Sequence, residues 1–266
     1  MVFERRAASG VIQVVDCDSE RRLVVDGSVL SVIPRDGDWG QVRREYWWHA
    51  LAAVSVPRRP SALFVGLGGG TQIHLLHQIA TPRLVTVIER DPWIVRVANQ
   101  WFGLRPLGRL EILCADAEVA AATLGRAGRS FDLVIEDAAY GDEPECALRV
   151  AHASATLVAP GGALVVNRHR RADARALATS LAPLFEAITV RRVRREAENL
   201  LVCCRGARPR LSASPVADTP RVDEVTGRAA RPPASSRPEG TATRSGRHAR
   251  AGRPAGPGER YPRKRL

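Results

Sequence analysis

No run of 18 apolar residues occurs anywhere in the 266-residue chain, so the sequence signature of a membrane-spanning helix is missing and no membrane partner is expected. The five cysteines, Cys17, Cys114, Cys146, Cys203 and Cys204, form no CxxC pair and no zinc-ligand set, and an odd number does not build a disulfide framework. Reduced thiols are the expectation. Met1 to Arg6 is not followed by an apolar core, which excludes the pattern of a secretory leader and leads us to expect a cytoplasmic protein.

Acidic residues are scarce in one place only. Residues 205–266 carry 15 Lys+Arg against 5 Asp+Glu, whereas residues 1–204 carry 25 against 23, so the net charge of +12 is a property of the tail. That tail, with Arg231-Pro232-Pro233, Pro254-Ala255-Gly256-Pro257-Gly258 and Arg263-Lys264-Arg265, has almost no large apolar residues. It cannot bury enough surface to offset its ordering entropy, and is expected to be disordered. Without interleaved aromatics it should attract acidic partners only weakly and without specificity.

The rest of the chain has the composition of a globular core, 45% hydrophobic over the whole sequence. Residues 1–56 read as a β-hairpin region: Val11 to Val15, Arg22 to Asp26 and Ser28 to Ile33 are short β-type runs, and Asp26-Gly27 is a hairpin signal. Val42, Trp47, Leu51 and Val54 follow at helical spacing and predict a connecting helix. Residues 57–204 alternate strand and helix, the pattern of a mostly parallel α/β sheet covered on both faces. Predicted strands end at Val65, Ile88, Cys114, Ile135 and Val166, with Leu200 to Cys204 in a closing hairpin. Asp91-Pro92 supplies an N-cap and a proline at the first position of the second helix of this region.

Chemistry gathers at the strand ends. The run Ala62 to Val65 feeds Gly66-Leu67-Gly68-Gly69-Gly70, and a helix begins at Thr71. Glycine admits positive φ and leaves no side chain in the way, so this turn suits close approach to a nucleoside. Glu89 stands 23 residues after Gly66, where nucleotide-binding α/β folds place an acid on ribose hydroxyls. Asp116 and Asp137 end the next strands. In an open α/β sheet all four features reach one rim, so Asp116 can accept from an adenine amino group and Asp137 can face a reacting group. His74 and His77 share a helix face but lack a third ligand, so no metal is expected. Trp47 and Trp48 are expected to pack the hairpin region onto the sheet.

At these residues the chain resembles the spermidine synthase-like (polyamine aminopropyltransferase-like) group of the class I S-adenosylmethionine-dependent methyltransferase fold. The matching segments are Val24-Val25-Asp26-Gly27, Leu63 to Gly70, Val87-Ile88-Glu89-Arg90-Asp91-Pro92, Asp116-Ala117, Phe131 to Asp137 and Leu157 to Gly162. The resemblance implies a seven-stranded, Rossmann-like sheet beneath an N-terminal β-region. It also implies a cofactor, S-adenosylmethionine or its decarboxylated form, held by Gly66, Gly68, Gly70, Glu89, Asp116 and Ala117. Asp137 would accept the proton of the attacking nucleophile, a small-molecule amine or other acceptor, and a homodimer is allowed.

Two positions depart from the group. An Asp that holds the cationic aminopropyl chain is replaced by Thr71, and a second Asp that helps hold the diamine is replaced by Tyr140. The Tyr-Gln-Glu segment of the group is also missing, with Glu45-Tyr46-Trp47-Trp48-His49 in its region. Three readings stay open: aminopropyl transfer in polyamine biosynthesis, methyl transfer to another acceptor, and a catalytically silent nucleoside-binding protein.

Overall fold

The computed structural model describes residues 1–138, 143–194 and 198–209, within the unit Met1–Ala213. Most of the basic tail, Tyr140 and the centre of the last hairpin turn therefore lie outside the described residues.

The chain opens with an antiparallel sheet of four strands in sequential order: β1 (Phe3–Ala7), β2 (Gly10–Asp16), β3 (Glu20–Val25) and β4 (Ser28–Pro34). Asp26 and Gly27 join β3 to β4 with φ of 45° and 79°. Two successive positive φ values match the strand twist of a tight hairpin, and Asp26 Oδ1 also accepts the Val11 N–H at 2.7 Å. The sequence reading lacked β1, whose run Phe-Glu-Arg-Arg-Ala has three exposed charged residues at its centre and no alternation to betray an edge strand. The connecting helix is shorter than its apolar spacing predicted: a 3₁₀ turn over Val42–Arg44 is followed by α1 (Tyr46–Ala52), with Glu45 extended between them.

The second sheet has seven strands: β5 (Ser61–Val65), β6 (Leu84–Glu89), β7 (Leu110–Cys114), β8 (Phe131–Glu136), β9 (Val158–Arg168), β10 (Phe185–Arg194) and β11 (Glu198–Ala207). Their spatial order is β10-β11-β9-β8-β5-β6-β7. β5 pairs in parallel with both β6 and β8, and β11 alone is reversed, antiparallel to its two neighbours β9 and β10. The connecting helices are α2 (Thr71–Ile79), α3 (Pro92–Trp101), α4 (Ala117–Arg126), α5 (Pro144–Ala155) and α6 (Arg171–Leu181).

Alternate residues of β5 divide between two cores. Ala62 and Phe64 join the cluster containing α2, α3 and the N-terminal sheet, while Leu63 and Val65 join the cluster containing α4, α5 and α6. Because a strand's side chains alternate in direction, one central strand glues both layers together, and its four buried apolar residues read as a continuous run. Cys203 and Cys204 of β11 part in the same way, one to each core, and burial pushes their thiols up to about 11 and about 12. β11 runs three residues beyond the predicted strand end at Cys204, and Arg208 N–H is bonded to the Leu184 carbonyl at 2.9 Å.

Strand order reverses at β5, which has β6 on one side and β8 on the other. The crevice beyond the carboxyl ends of these strands is where such sheets bind ligands.

Candidate active site

A cleft of about 860 Å³ opens at that crevice, lined by the glycine turn, Glu89, Ala115 to Ala117, Asp137, Asn167 and parts of the N-terminal sheet and α1. Every residue placed at the site from sequence, namely Gly66, Gly68, Gly70, Glu89, Asp116, Ala117 and Asp137, borders it.

The glycine turn is shaped by its protein neighbours as much as by any ligand. A Cβ on Gly66 would stand 2.7 Å from the Asp137 carbonyl oxygen, so only glycine lets the ends of β5 and β8 close together. At Gly68 it would stand 2.6 Å from Ser31 Oγ of β4, and that oxygen accepts the Gly69 N–H at 2.7 Å. The N-terminal sheet is thus docked edge-on to the turn. Thr71 completes the docking: its Oγ1 donates to the Val32 carbonyl at 2.8 Å and accepts the Val32 N–H at 3.0 Å.

Glu89 lies at the end of β6, where its Oε2 accepts from Leu67 N–H at 3.1 Å and its Oε1 from Asp91 N–H at 2.9 Å. Burial raises its pKa, and these backbone bonds, which favour the carboxylate, oppose that effect. Each oxygen keeps a lone pair, so the carboxylate can still accept two hydroxyls of a ribose. Asp91, 1% exposed, caps α3 through Trp93 N–H at 2.8 Å and holds Ser9 N–H of the first hairpin at 2.9 Å. Asp116 is exposed and caps α4: its Oδ1 takes Glu118 N–H at 2.9 Å and Val119 N–H at 3.2 Å. Capping uses one oxygen and leaves Oδ2 for a ligand.

Asp137 follows β8 and is gripped from both sides. Tyr46, the first residue of α1, donates its hydroxyl to Oδ2 at 3.0 Å, and Asn167 of β9 donates Nδ2 to Oδ1 at 2.9 Å. Burial raises the Asp137 pKa, against the lowering effect of the Asn167 and Tyr46 bonds and of the nearby Arg168 charge. Tyr46 is itself pushed well above its ordinary value by burial and by the Asp137 charge, so it stays a neutral donor. Behind them Arg168, 9% exposed, donates to fully buried Glu136 at 2.6 Å, to the Asn167 carbonyl at 2.7 Å and to the Ala147 carbonyl of α5 at 2.9 Å.

Tyr46, Asn167 and the Glu136–Arg168 pair were missed in the sequence. Glu136 did offer a signal: a charged residue directly after the apolar run Leu133-Val134-Ile135 needs a partner if it is buried with that run. The His74 ring is bonded to the Phe102 carbonyl at 2.7 Å. Trp47 is 6% exposed within the core and also borders the cleft. Among the described residues no three His, Cys, Asp or Glu side chains group to hold a metal, and no helix is long and apolar enough to cross a membrane.

In charge the cleft is unlike the chain as a whole. Among the described residues seven carboxylates border it, including Glu20, Glu45 and Glu143, against two arginines, Arg22 and Arg90. Acids thus outnumber bases around the cleft, although residues 1–204 as a whole are close to neutral.

The strand order, the rim of glycines and acids and the antiparallel sheet above it together form a spermidine synthase-like class I methyltransferase fold. Solved structures agree. A probable spermidine synthase from Corynebacterium glutamicum matches with a TM-score of 0.59 at 19% identity, over 81% of this chain and 84% of that one. Human methyltransferase-like protein 13 in complex with SAH matches with a TM-score of 0.53 at 22% identity, over 64% and 83%. Among curated relatives, the eEF1A lysine and N-terminal methyltransferase of Danio rerio is 27% identical over 159 residues, 55% of this chain and 23% of that protein. The polyamine aminopropyltransferase of Vibrio vulnificus is 27% identical over 86 residues, 32% and 29%. A putative O-methyltransferase of Mycolicibacterium vanbaalenii is 34% identical over 131 residues, 46% and 55%. The chain thus spans less than a third of the first two relatives and about half of the third. No protein-family model matches it.

Proposed function

We propose that the protein is a transferase that moves an alkyl group from an S-adenosylmethionine-type sulfonium donor to an amine, with Asp137 as proton acceptor. The observation that carries this reading is Asp137 itself: a carboxylate at the switch point of the sheet, made more basic by burial and oriented by Tyr46 and Asn167. The residues present suit such a donor. Glu89 would accept the ribose hydroxyls, Asp116 and Ala117 would border the adenine, and the bare backbone at Gly66 would let the nucleoside approach the strand ends. When bound, the donor supplies a carbon activated by the adjacent sulfonium. The chain's own part is to orient the nucleophile, keep water out and take up a proton at Asp137.

Thr71 favours methyl over aminopropyl as the transferred group. A cationic aminopropyl chain needs a carboxylate beside it, and the Thr71 hydroxyl is buried and committed to Val32. The acid-rich cleft favours the second reading, aminopropyl transfer to a polyamine, in which Glu20, Glu45 or Glu143 would supply the negative charge. Calorimetric titration with S-adenosylmethionine, its decarboxylated form and 5′-methylthioadenosine separates the two: tighter binding of the full donor is expected. A preference for the decarboxylated form would establish the second reading, and absence of binding by all three would leave a silent fold.

A further inference from the structure

Charge in the fold is sorted by the direction of the strands. The cleft lies beyond the carboxyl ends of β5, β6 and β8, and its charged lining is mostly acidic. The amino ends of the same layer carry arginines instead: Arg58 and Arg59 precede β5, Arg83 precedes β6, Arg109 precedes β7 and Arg129 precedes β8. These strands are consecutive neighbours in the order β8-β5-β6-β7, so at about 4.8 Å between strands the row is about 14 Å long. Bonds between the strand starts draw it together. Arg83 N–H is bonded to the Pro60 carbonyl at 2.7 Å, Val85 N–H to the Arg109 carbonyl at 3.0 Å and Arg83 Nε to the Arg59 carbonyl at 2.9 Å. Two acids stand in the row, and both are engaged: Asp132 by Arg83 at 2.8 Å and Glu111 by Arg129 at 2.9 Å. Arg58, Arg59 and Arg109 are exposed, and their guanidinium groups make no hydrogen bond or ion pair among the described residues. β11 ends on the same side. Its Arg205 lies abreast of Ala163, Leu133 and Ala62, near the start of β5, and the described residues stop soon after, at Pro209. Residues 210–266 then add 13 Lys+Arg against 5 Asp+Glu in sequence.

We propose that this arginine row, on the side of the sheet away from the cleft, docks a nucleic-acid duplex through its phosphates. Guanidinium keeps its charge at every working pH and meets phosphate oxygens in pairs. Phosphates of one strand recur about every 3.4 Å along a duplex axis, so a row of about 14 Å faces about four of them. Other partners fit this face less well. Of the large apolar side chains exposed among the described residues, only Ile79, at the end of α2, and Leu184, ahead of β10, belong to this side. They fall in separate connections, so the face has neither the apolar core of a protein interface nor the apolar stripe that enters a lipid surface. Single strands are held by stacking on exposed aromatic rings, and Phe131, beside Arg129 in the row, is fully buried. Contacts made to phosphate alone position a duplex without reading its sequence.

The test is fluorescence anisotropy of a labelled DNA duplex of about 20 base pairs with the full chain, titrated between about 50 and about 200 mM salt. The slope of log affinity against log salt counts the phosphates neutralised, at about 0.9 for each. Changing Arg58, Arg59 and Arg109 together to Ser should therefore reduce the slope by about 2.7. Changing Arg6, Arg44 and Arg175 to Ser removes the same charge from exposed positions elsewhere in the fold and should leave the slope as in the wild type. Where the triple variant does not fold, the single changes Arg58→Ser and Arg109→Ser decide, each taking about 0.9 from the slope. An unchanged slope without the row arginines would assign binding to the residues beyond Pro209 and overturn the proposal. An equal fall in both triple variants would reduce the effect to net charge and overturn it too. Poly-L-glutamate that binds as tightly as the duplex, charge for charge, would make the occupant an acidic polypeptide instead. The inference stands apart from the transferase reading, because the row and the cleft lie at opposite ends of the strands. Saturating 5′-methylthioadenosine should leave duplex affinity unchanged, and competition between the two would move the duplex to the cleft and take it off the row.

Discussion

Thr71 and Val32 hold each other in both directions, with the Thr71 hydroxyl donating to the Val32 carbonyl and accepting its N–H. Val32 belongs to β4, the edge strand of the N-terminal sheet, whose outward backbone groups need partners from elsewhere. Thr71 supplies them from the first residue of α2. The residue that in sequence looks like a lost ligand contact is in the structure the pin that seats one sheet on the glycine turn.

Thr71→Val should therefore lower stability by about 2–4 kcal/mol, because a same-sized apolar side chain leaves two buried backbone groups unpaired. Thr71→Asp should not gain affinity for a decarboxylated donor, since an ionised carboxylate can accept from Val32 N–H but meets the Val32 carbonyl with like partial charge. Chemical denaturation of both variants, with calorimetry of the second, checks this; a tighter complex in Thr71→Asp would show that the side chain can turn into the cleft.

Arg168→Met should cost about 3–5 kcal/mol, because fully buried Glu136 loses the guanidinium that offsets its charge at the base of the site. The double variant Glu136→Leu/Arg168→Met should recover most of that loss, since a buried ion pair is often matched by apolar residues of similar size. Urea unfolding of the two variants measures the difference. Equal loss in both would mean that the Arg168 bonds to the Asn167 and Ala147 carbonyls, rather than the ion pair, hold β9 to α5.

Asp137→Asn separates stability from catalysis. The folded-state pKa of Asp137 is raised above its ordinary value of 3.8, so its contribution to stability is complete below that value and is lost as pH rises through the raised one. At neutral pH the ionised form weakens the fold, and the neutral amide can accept from Asn167 while donating to the Tyr46 hydroxyl. Melting temperature at pH 7 should hold or rise, while kcat falls by about 10²-fold or more through loss of the base. In the wild type, kcat should fall with decreasing pH as Asp137 protonates, and its midpoint should lie above pH 3.8. A fully active Asp137→Asn would remove Asp137 from the chemistry.

What was legible in the sequence follows from where information sits along a chain. Gly66, Glu89, Asp116 and Asp137 are each marked locally, because each ends an apolar run, and sheet topology alone gathers them. Tyr46 and Asn167 carry no such mark: they meet Asp137 across 91 and 30 residues of sequence, through packing that no local pattern encodes. The roles of Gly68 and Thr71 were obscured for the same reason, as their partners Ser31 and Val32 lie in the other sheet, 37 and 39 residues away in the chain. Strand ends slipped where hydrophobicity did. β11 continues through Arg205-Gly206-Ala207 because Phe185 and Ala187 of β10 pair with it, so a trimmed chain should end after Pro209. Such a chain is expected to keep the melting temperature of the whole protein, while one ending at Cys204 should lose several degrees.

Glu89 links the donor to the fold, and its variants should show both roles. Glu89→Ala removes a carboxylate that can accept two ribose hydroxyls, which should weaken 5′-methylthioadenosine binding by about 1.5–3 kcal/mol, and it also frees Leu67 N–H and Asp91 N–H. Glu89→Gln keeps one accepting oxygen and should lose less. The pKa of Glu89 is raised above 4.5 by burial, so the carboxylate is lost at a higher pH than for an ordinary glutamate. Wild-type affinity should therefore decline as pH is lowered through that raised value, and the decline should be absent in Glu89→Gln, which has no proton to take up. Calorimetry across the acid range reads both effects; a pH profile shared by wild type and Glu89→Gln would assign the titration to another carboxylate of the cleft and take Glu89 off the ribose.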